Sequence, residues 1–132
     1  MKPLAEKLVS LEGQISKEKG AFALFALFLR EEVQDRYDLV VSSSWIEEDK
    51  KAALDYLAKQ LRSCLEPQEL LSLSRIVLVD LDNPSLRAIN KAIKVEHGLS
   101  EVKNGTFFDL EIKHAYIITS KKQKTMADSG VL

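Results

Sequence analysis

Between Gly20 and Arg30 this chain carries Ala21-Phe22-Ala23-Leu24-Phe25-Ala26-Leu27-Phe28-Leu29, nine apolar residues bounded by polar sequence on both sides. The run falls far short of the roughly 20 apolar residues that cross a bilayer as a helix. At about 3.3 Å per residue it can cross a small sheet, and with no polar face it has to be covered on both sides. Phe22, Phe25 and Leu29 would also share a helical face, because periodicity alone does not separate a buried strand from a buried helix. The next segment of the chain favours the strand. A polar break at 30–35 leads into Tyr37-Asp38-Leu39-Val40-Val41, a β-branched segment, so the two runs read as a hairpin.

The rest of the pattern supplies cover for that hairpin. Leu4, Leu8, Leu11 and Ile15 recur at helical spacing over residues 3–18, with Pro3 suited to a first turn and Gly20 to a stop. This stripe can pack on the sheet or against a second copy of itself. Ser42-Ser43-Ser44 offers an N-cap for a long amphipathic helix from Trp45 to Leu65, with Glu47, Glu48 and Asp49 near its positive end. Ile46, Ala53, Leu57, Leu61, Cys64 and Leu65 fall on or near its inward side. Pro67 permits a turn or a new short helix.

Arg75-Ile76-Val77-Leu78-Val79-Asp80 reads as an interior strand. Asp82 to Ser85 reads as a turn or helix entry, followed by a stripe of Leu86, Ile89 and Ile93. Lys94 to Gly105 reads as irregular, with turns at Gly98 and Asn104-Gly105, and the last strand is placed at Ala115 to Ser120. The expected fold is α+β, a small mixed sheet with an N-terminal β-hairpin packed by amphipathic helices, with a three-layer α/β sandwich as the alternative. Residues 1–120 form one domain in this reading, and 121–132 a polar C-terminal tail. Phe25, Leu27, Leu57, Leu61, Val77, Leu78, Ile117 and Ile118 are expected to share one packed region.

Nineteen basic against twenty acidic residues leave a formal charge of -1, which supplies no long-range pull toward nucleic acid or an anionic membrane. Local basic groups remain: Lys121, Lys122 and Lys124 near the end, and Arg30, Arg36 and Arg75 elsewhere. One cysteine, Cys64, excludes an intramolecular disulfide and reads as core filling. The first residues, Met1 to Lys7, carry no uninterrupted apolar core of the secretory type, so the expected location is cytoplasmic, with no membrane partner.

Two late clusters carry chemistry. His97, Asp109 and His114, with Glu96, Glu101 and Glu111 nearby in sequence, offer nitrogen and oxygen ligands for a divalent ion, although their spacing fits no compact zinc motif. Asp80, Asp82, Lys94, Glu96 and His97 offer the acids and the cation of a magnesium-dependent nuclease or another hydrolase. Asp80 and Asp82 flank a turn before Pro84, and the stronger reading is that they bond nearby backbone there. Ser42 to Ser44 precede a helix but lack the glycine-rich cradle of a phosphate loop.

No motif here is diagnostic, and no cofactor is implied. The leading expectation is a non-catalytic cytoplasmic protein-interaction module, self-associating as a homodimer, with Leu4, Leu8, Leu11 and Trp45 as its interaction residues. The alternatives are the small metal-dependent nuclease or hydrolase, and a weak nucleic-acid-binding protein.

Overall fold

In the computed structural model, which describes residues 2–30 and 36–122, the apolar run forms the middle of a sheet. Strand β1 (Leu24–Arg30) pairs antiparallel with β2 (Tyr37–Ser42) from Leu24 opposite Ser42 to Phe28 opposite Asp38. The connecting residues 31–35 lie outside those described. On its other side β1 pairs antiparallel with β5 (Leu110–Ser120), which also pairs with β4 (Ser100–Phe107). A fifth strand, β3 (Leu73–Leu78), runs parallel to β2 and gives the order β3-β2-β1-β5-β4.

Successive side chains on a strand point to opposite faces, so a wholly apolar strand serves two cores. Phe25 and Leu27 join Leu39, Val41, Tyr116 and Ile118 on one face. Leu24, Ala26 and Phe28 join Val40, Ala115 and Ile117 on the other. Helix α1 (Lys2–Lys19) covers the first face with Leu4, Leu8, Leu11 and Ile15, beside Ala53, Leu57 and Leu61 of α3 (Lys50–Cys64). Helix α5 (Pro84–Ala92) covers the second with Leu86 and Ile89, and Phe107 and Phe108 extend that cover against Phe28. The result is a mixed α+β domain with helices on both faces of a five-stranded mixed sheet.

Several expectations change in detail. The eight residues expected in one core divide between two. Val77 and Ile117 belong to the second face, while Phe25, Leu27, Leu57, Leu61, Leu78 and Ile118 belong to the first, because neighbours in a strand cannot share a face. The Ile76 strand, β3, lies at an edge rather than inside, and its apolar residues are half-buried because helices cover both faces there. The long helix is split into α2 (Ser44–Glu48) and α3, since Asp49 takes an extended backbone and its carboxylate accepts a bond from the Ala52 amide. A short helix, α4 (Pro67–Leu70), begins at Pro67.

Residues 100–107, read as irregular, are strand β4, and Asn104-Gly105 lies within it, Asn104 at a φ of 56°. The hairpin turn falls at Phe108-Asp109 instead, where both residues have positive φ. Leu4, Leu8 and Leu11 are buried inside the chain's own core, so they are not available as an interaction surface. Trp45 is half-buried and meets Phe22 and Tyr56 edge-on, at 5.8 and 5.9 Å between ring centres. Cys64 is half-buried against the same core. Of the polar tail, Lys121 and Lys122 are described and exposed; residues 123–132, including Lys124, lie outside the described region.

Candidate functional site

The row Leu4, Leu8, Glu12, Ser16 runs down one face of α1 at four-residue spacing, and it sets a carboxylate among leucines. Glu12 is fully buried as a result. A buried carboxylate has to find donors, and three converge on this one. Thr119 donates its hydroxyl to Oε2 at 2.7 Å, Ser16 donates to the same oxygen at 3.2 Å, and His97 Nδ1 meets Oε1 at 2.5 Å.

A break in the register of β5 delivers Thr119 to this spot. Phe25 pairs with Thr119 and Ala26 with Ile117, so Ile118 is an extra residue on the β5 side. Strict alternation from Ile118, which faces the α1 side, would turn Thr119 toward α5. The bulge turns it back toward α1 and Glu12.

The same bulge receives the turn before β4. Val95 and Ser120 exchange backbone bonds, the Gly98 amide donates to the Ile118 carbonyl, and the His97 amide donates to the Thr119 hydroxyl oxygen at 3.1 Å. His97 sits there at a φ of 53°, a left-handed backbone that a histidine adopts at some cost. With Glu12 as acceptor, Nδ1 carries a ring proton, and Nε2 is the nitrogen that Glu12 leaves untouched. The imidazole is 47% exposed and stands at the wall of an open cleft of about 680 Å³ that runs along α1 from Val9 to Lys17. Glu96 Oε2 lies 3.9 Å from Nε2 and 3.1 Å from Lys121 Nζ.

From the opposite face Asn90 closes the same end of the sheet. Its buried amide donates to the Ala23 carbonyl and to Ser120 Oγ, both at 3.0 Å. A second cavity of about 300 Å³ opens beside it, walled by Lys94, Glu96, Ser120, Lys121 and Lys122.

The residues singled out by their sequence pattern divide among separate places. Asp80, after β3, pairs with Lys50 at 2.6 Å, whereas Glu96 and His97 lie against the end of β5, two strands away from β2 in the sheet order. The nuclease set therefore does not assemble: His97, Glu96 and Lys94 gather around the end of β5, and Asp80 stays with Lys50. Asp82 is exposed in the turn before α5. Glu47, from α2, bonds the Leu81 amide there.

The proposed metal ligands His97, Asp109 and His114 also part. His114 Nε2 meets Glu101 Oε2 at 2.5 Å and its Nδ1 meets the Tyr37 hydroxyl at 3.2 Å, with its ring 4.5 Å from that of Tyr116. Burial, and then the Glu101 charge, push the Tyr116 phenol up from its ordinary value. Asp109 is exposed in the hairpin turn. Among the described residues, no three histidine, cysteine, aspartate or glutamate side chains are placed to hold a metal ion.

Two of the three arginines expected to extend a basic patch are tied to one buried acid. Arg30 and Arg75 both reach the buried Asp38, at 2.8 and 3.3 Å, while Arg36 is exposed. Ser43 Oγ donates to the Ala21 carbonyl, so it ties the lead-in of β1 to the end of β2. No helix among the described residues is long and apolar enough to cross a membrane.

Glu12, Ser16 and Thr119 were missed in the sequence. The signal for Glu12 was its place in the four-residue row of leucines; nothing local marks Thr119, because a bulge is set by pairing with another strand. Comparison with known proteins finds no matching family model, no matching curated protein and no matching solved structure.

Proposed function

We propose that the chain is a small enzyme of acid–base type, of the hydrolase class, with His97 as the group that moves the proton. One observation carries this reading: the imidazole is held through Nδ1 by the buried Glu12, and His97 stands in the wall of an open cleft. An imidazole so oriented can accept a proton from a water or a hydroxyl at Nε2, and the carboxylate behind it stabilises the imidazolium that forms. Glu96, near Nε2, is the second carboxylate on the proton's path. Of the hydrolase expected from sequence, this keeps His97 and Glu96 and releases Asp80 and Asp82.

The test is hydrolysis of p-nitrophenyl acetate and p-nitrophenyl phosphate by the wild-type chain and by His97→Gln. Loss of a general base lowers a rate by about 10²–10⁴-fold. Glu12→Gln should lower it too, with folding checked by circular dichroism. A wild-type rate no greater than buffer, or one that His97→Gln leaves unchanged, removes this reading.

The non-catalytic interaction module is the second reading, and its support is the outer edge of β4. That strand pairs only with β5 among the described residues, and an open edge is a template for a strand from a second copy. Exposed large apolar side chains are few, Leu71 at 66% and Leu54 at 38% among those described, so the edge rather than an apolar patch would carry the contact. Light scattering at micromolar concentration should then give twice the chain mass, and a monomer rejects the homodimer.

A further inference from the structure

We infer that the cavity beside Glu96 binds the phosphate group of a small phosphorylated molecule. Lys94, Lys121 and Lys122 stand in its wall, and Glu96 is the acidic residue among them. Glu96 is matched by Lys121 at 3.1 Å, whereas Lys94 and Lys122 have no carboxylate partner among the described residues. Two lysines without a carboxylate partner among the described residues, beside one matched pair, suit a dianion. The floor is built rather than loose, since Asn90 is buried and its amide holds Ser120 Oγ and the Ala23 carbonyl.

Size and charge select among anions. A volume of about 300 Å³ accepts a phosphoryl group with a small organic residue and not a duplex. A net charge of -1 gives a polyanion no long-range attraction, so short-range contact with the lysines is what remains. Glu96 also joins this cavity to the imidazole, because its carboxylate lies between Lys121 and His97 Nε2. As a statement about substrate class, that a phosphate group anchors the molecule on which His97 acts, this rests on the acid–base reading; as a binding site it stands apart from it.

The experiment is a titration of the full chain with inorganic phosphate and with phenyl phosphate, followed by calorimetry and by amide chemical shifts. Both should move the signals of Lys94, Val95, Ser120 and Lys122, and binding should weaken as salt is added. The exposed pair Lys94→Gln/Lys122→Gln should lose about tenfold or more in affinity, the scale of one hydrogen bond to a charged group. His97→Gln should bind as the wild type does. Tighter binding of phenyl phosphate assigns the site to a phosphate ester, and tighter binding of inorganic phosphate to the free ion; the ester claim falls in the second case. No binding, or binding that the double variant leaves intact, overturns the site. Binding as expected by a protein that hydrolyses neither p-nitrophenyl ester rejects the catalytic role of His97 and keeps the anion site, whereas His97-dependent hydrolysis without phosphate binding does the reverse.

Discussion

At the scale of single residues, Glu12 holds the side chains of Ser16, His97 and Thr119 through its buried carboxylate. Removing its carboxylate leaves the buried Thr119 hydroxyl without its acceptor, and the imidazole loses the group that aims it. An orphaned buried donor typically costs about 1–3 kcal/mol, so Glu12→Ala should lower the denaturant midpoint by a corresponding amount while leaving its slope unchanged. Ser16→Ala, which removes one donor of three, should cost less. Tyr56 gives a second readout. Burial, and then its hydrogen bond to Glu18, push its phenol up to about 12, above the roughly 10 of an unfolded chain. The fold thus favours the protonated phenol, a contribution fully present below pH 10 and lost as pH rises from about 10 through 12. Tyrosinate absorbance should show a late-titrating group that Tyr56→Phe removes, and the variant should lose less stability than the wild type over that alkaline window.

At the scale of elements, Leu61 tests how α3 sits on the sheet. Ala53, Leu57 and Leu61 are buried at four-residue intervals, so the helix presses one row on the first face. Leu61→Ala removes buried methyl groups and leaves a partly relaxed cavity, typically at about 2–5 kcal/mol, and thermal unfolding should show a midpoint lower by several degrees. The β4–β5 turn offers a change in the other direction. Phe108 and Asp109 have φ of 53° and 62°, the pattern that hairpins usually fill with Asn-Gly. Phe108 is held by its packing near Phe28, but Asp109 is exposed, so Asp109→Gly should stabilise by up to about 1 kcal/mol in the same melt. These elements also show what local pattern can reveal. The leucine row of α1 and the β-branched run of β2 announce themselves because a helix and a strand impose their own periods. Strand β4 does not, since Ser100 to Phe107 lies at an edge and alternates half-buried with exposed positions, with little apolar contrast. The cap at Asp49 was present as a residue type, but its neighbours Glu47 and Glu48 made it read as one more acid in a helix start.

At the scale of the whole molecule, the α+β class was legible from which segments were apolar, while the assembly of the site depended on which strands became neighbours. Asp80 and Glu96 are 16 positions apart in the chain yet end on opposite sides of β1, because β3 joins β2 and β5 joins β1. Glu12 and Thr119 lie at the two ends of the described sequence and touch only because β5 returns to the centre. Sequence separation therefore misled in both directions. That return has a bearing on how the chain is made. On a ribosome β1 and β2 emerge early, whereas β5 begins at Leu110, roughly 80 residues after β1 ends. At about 5–20 residues per second, the most apolar strand waits on the order of 4–16 s with one edge unpaired. Helix α1, already synthesised, can lie over one face of it during that interval, while α5 and β5 are still to come. A nascent chain stalled before β5 should accordingly be held by chaperones, and the exposed partner edge of β1 names the surface they would grip.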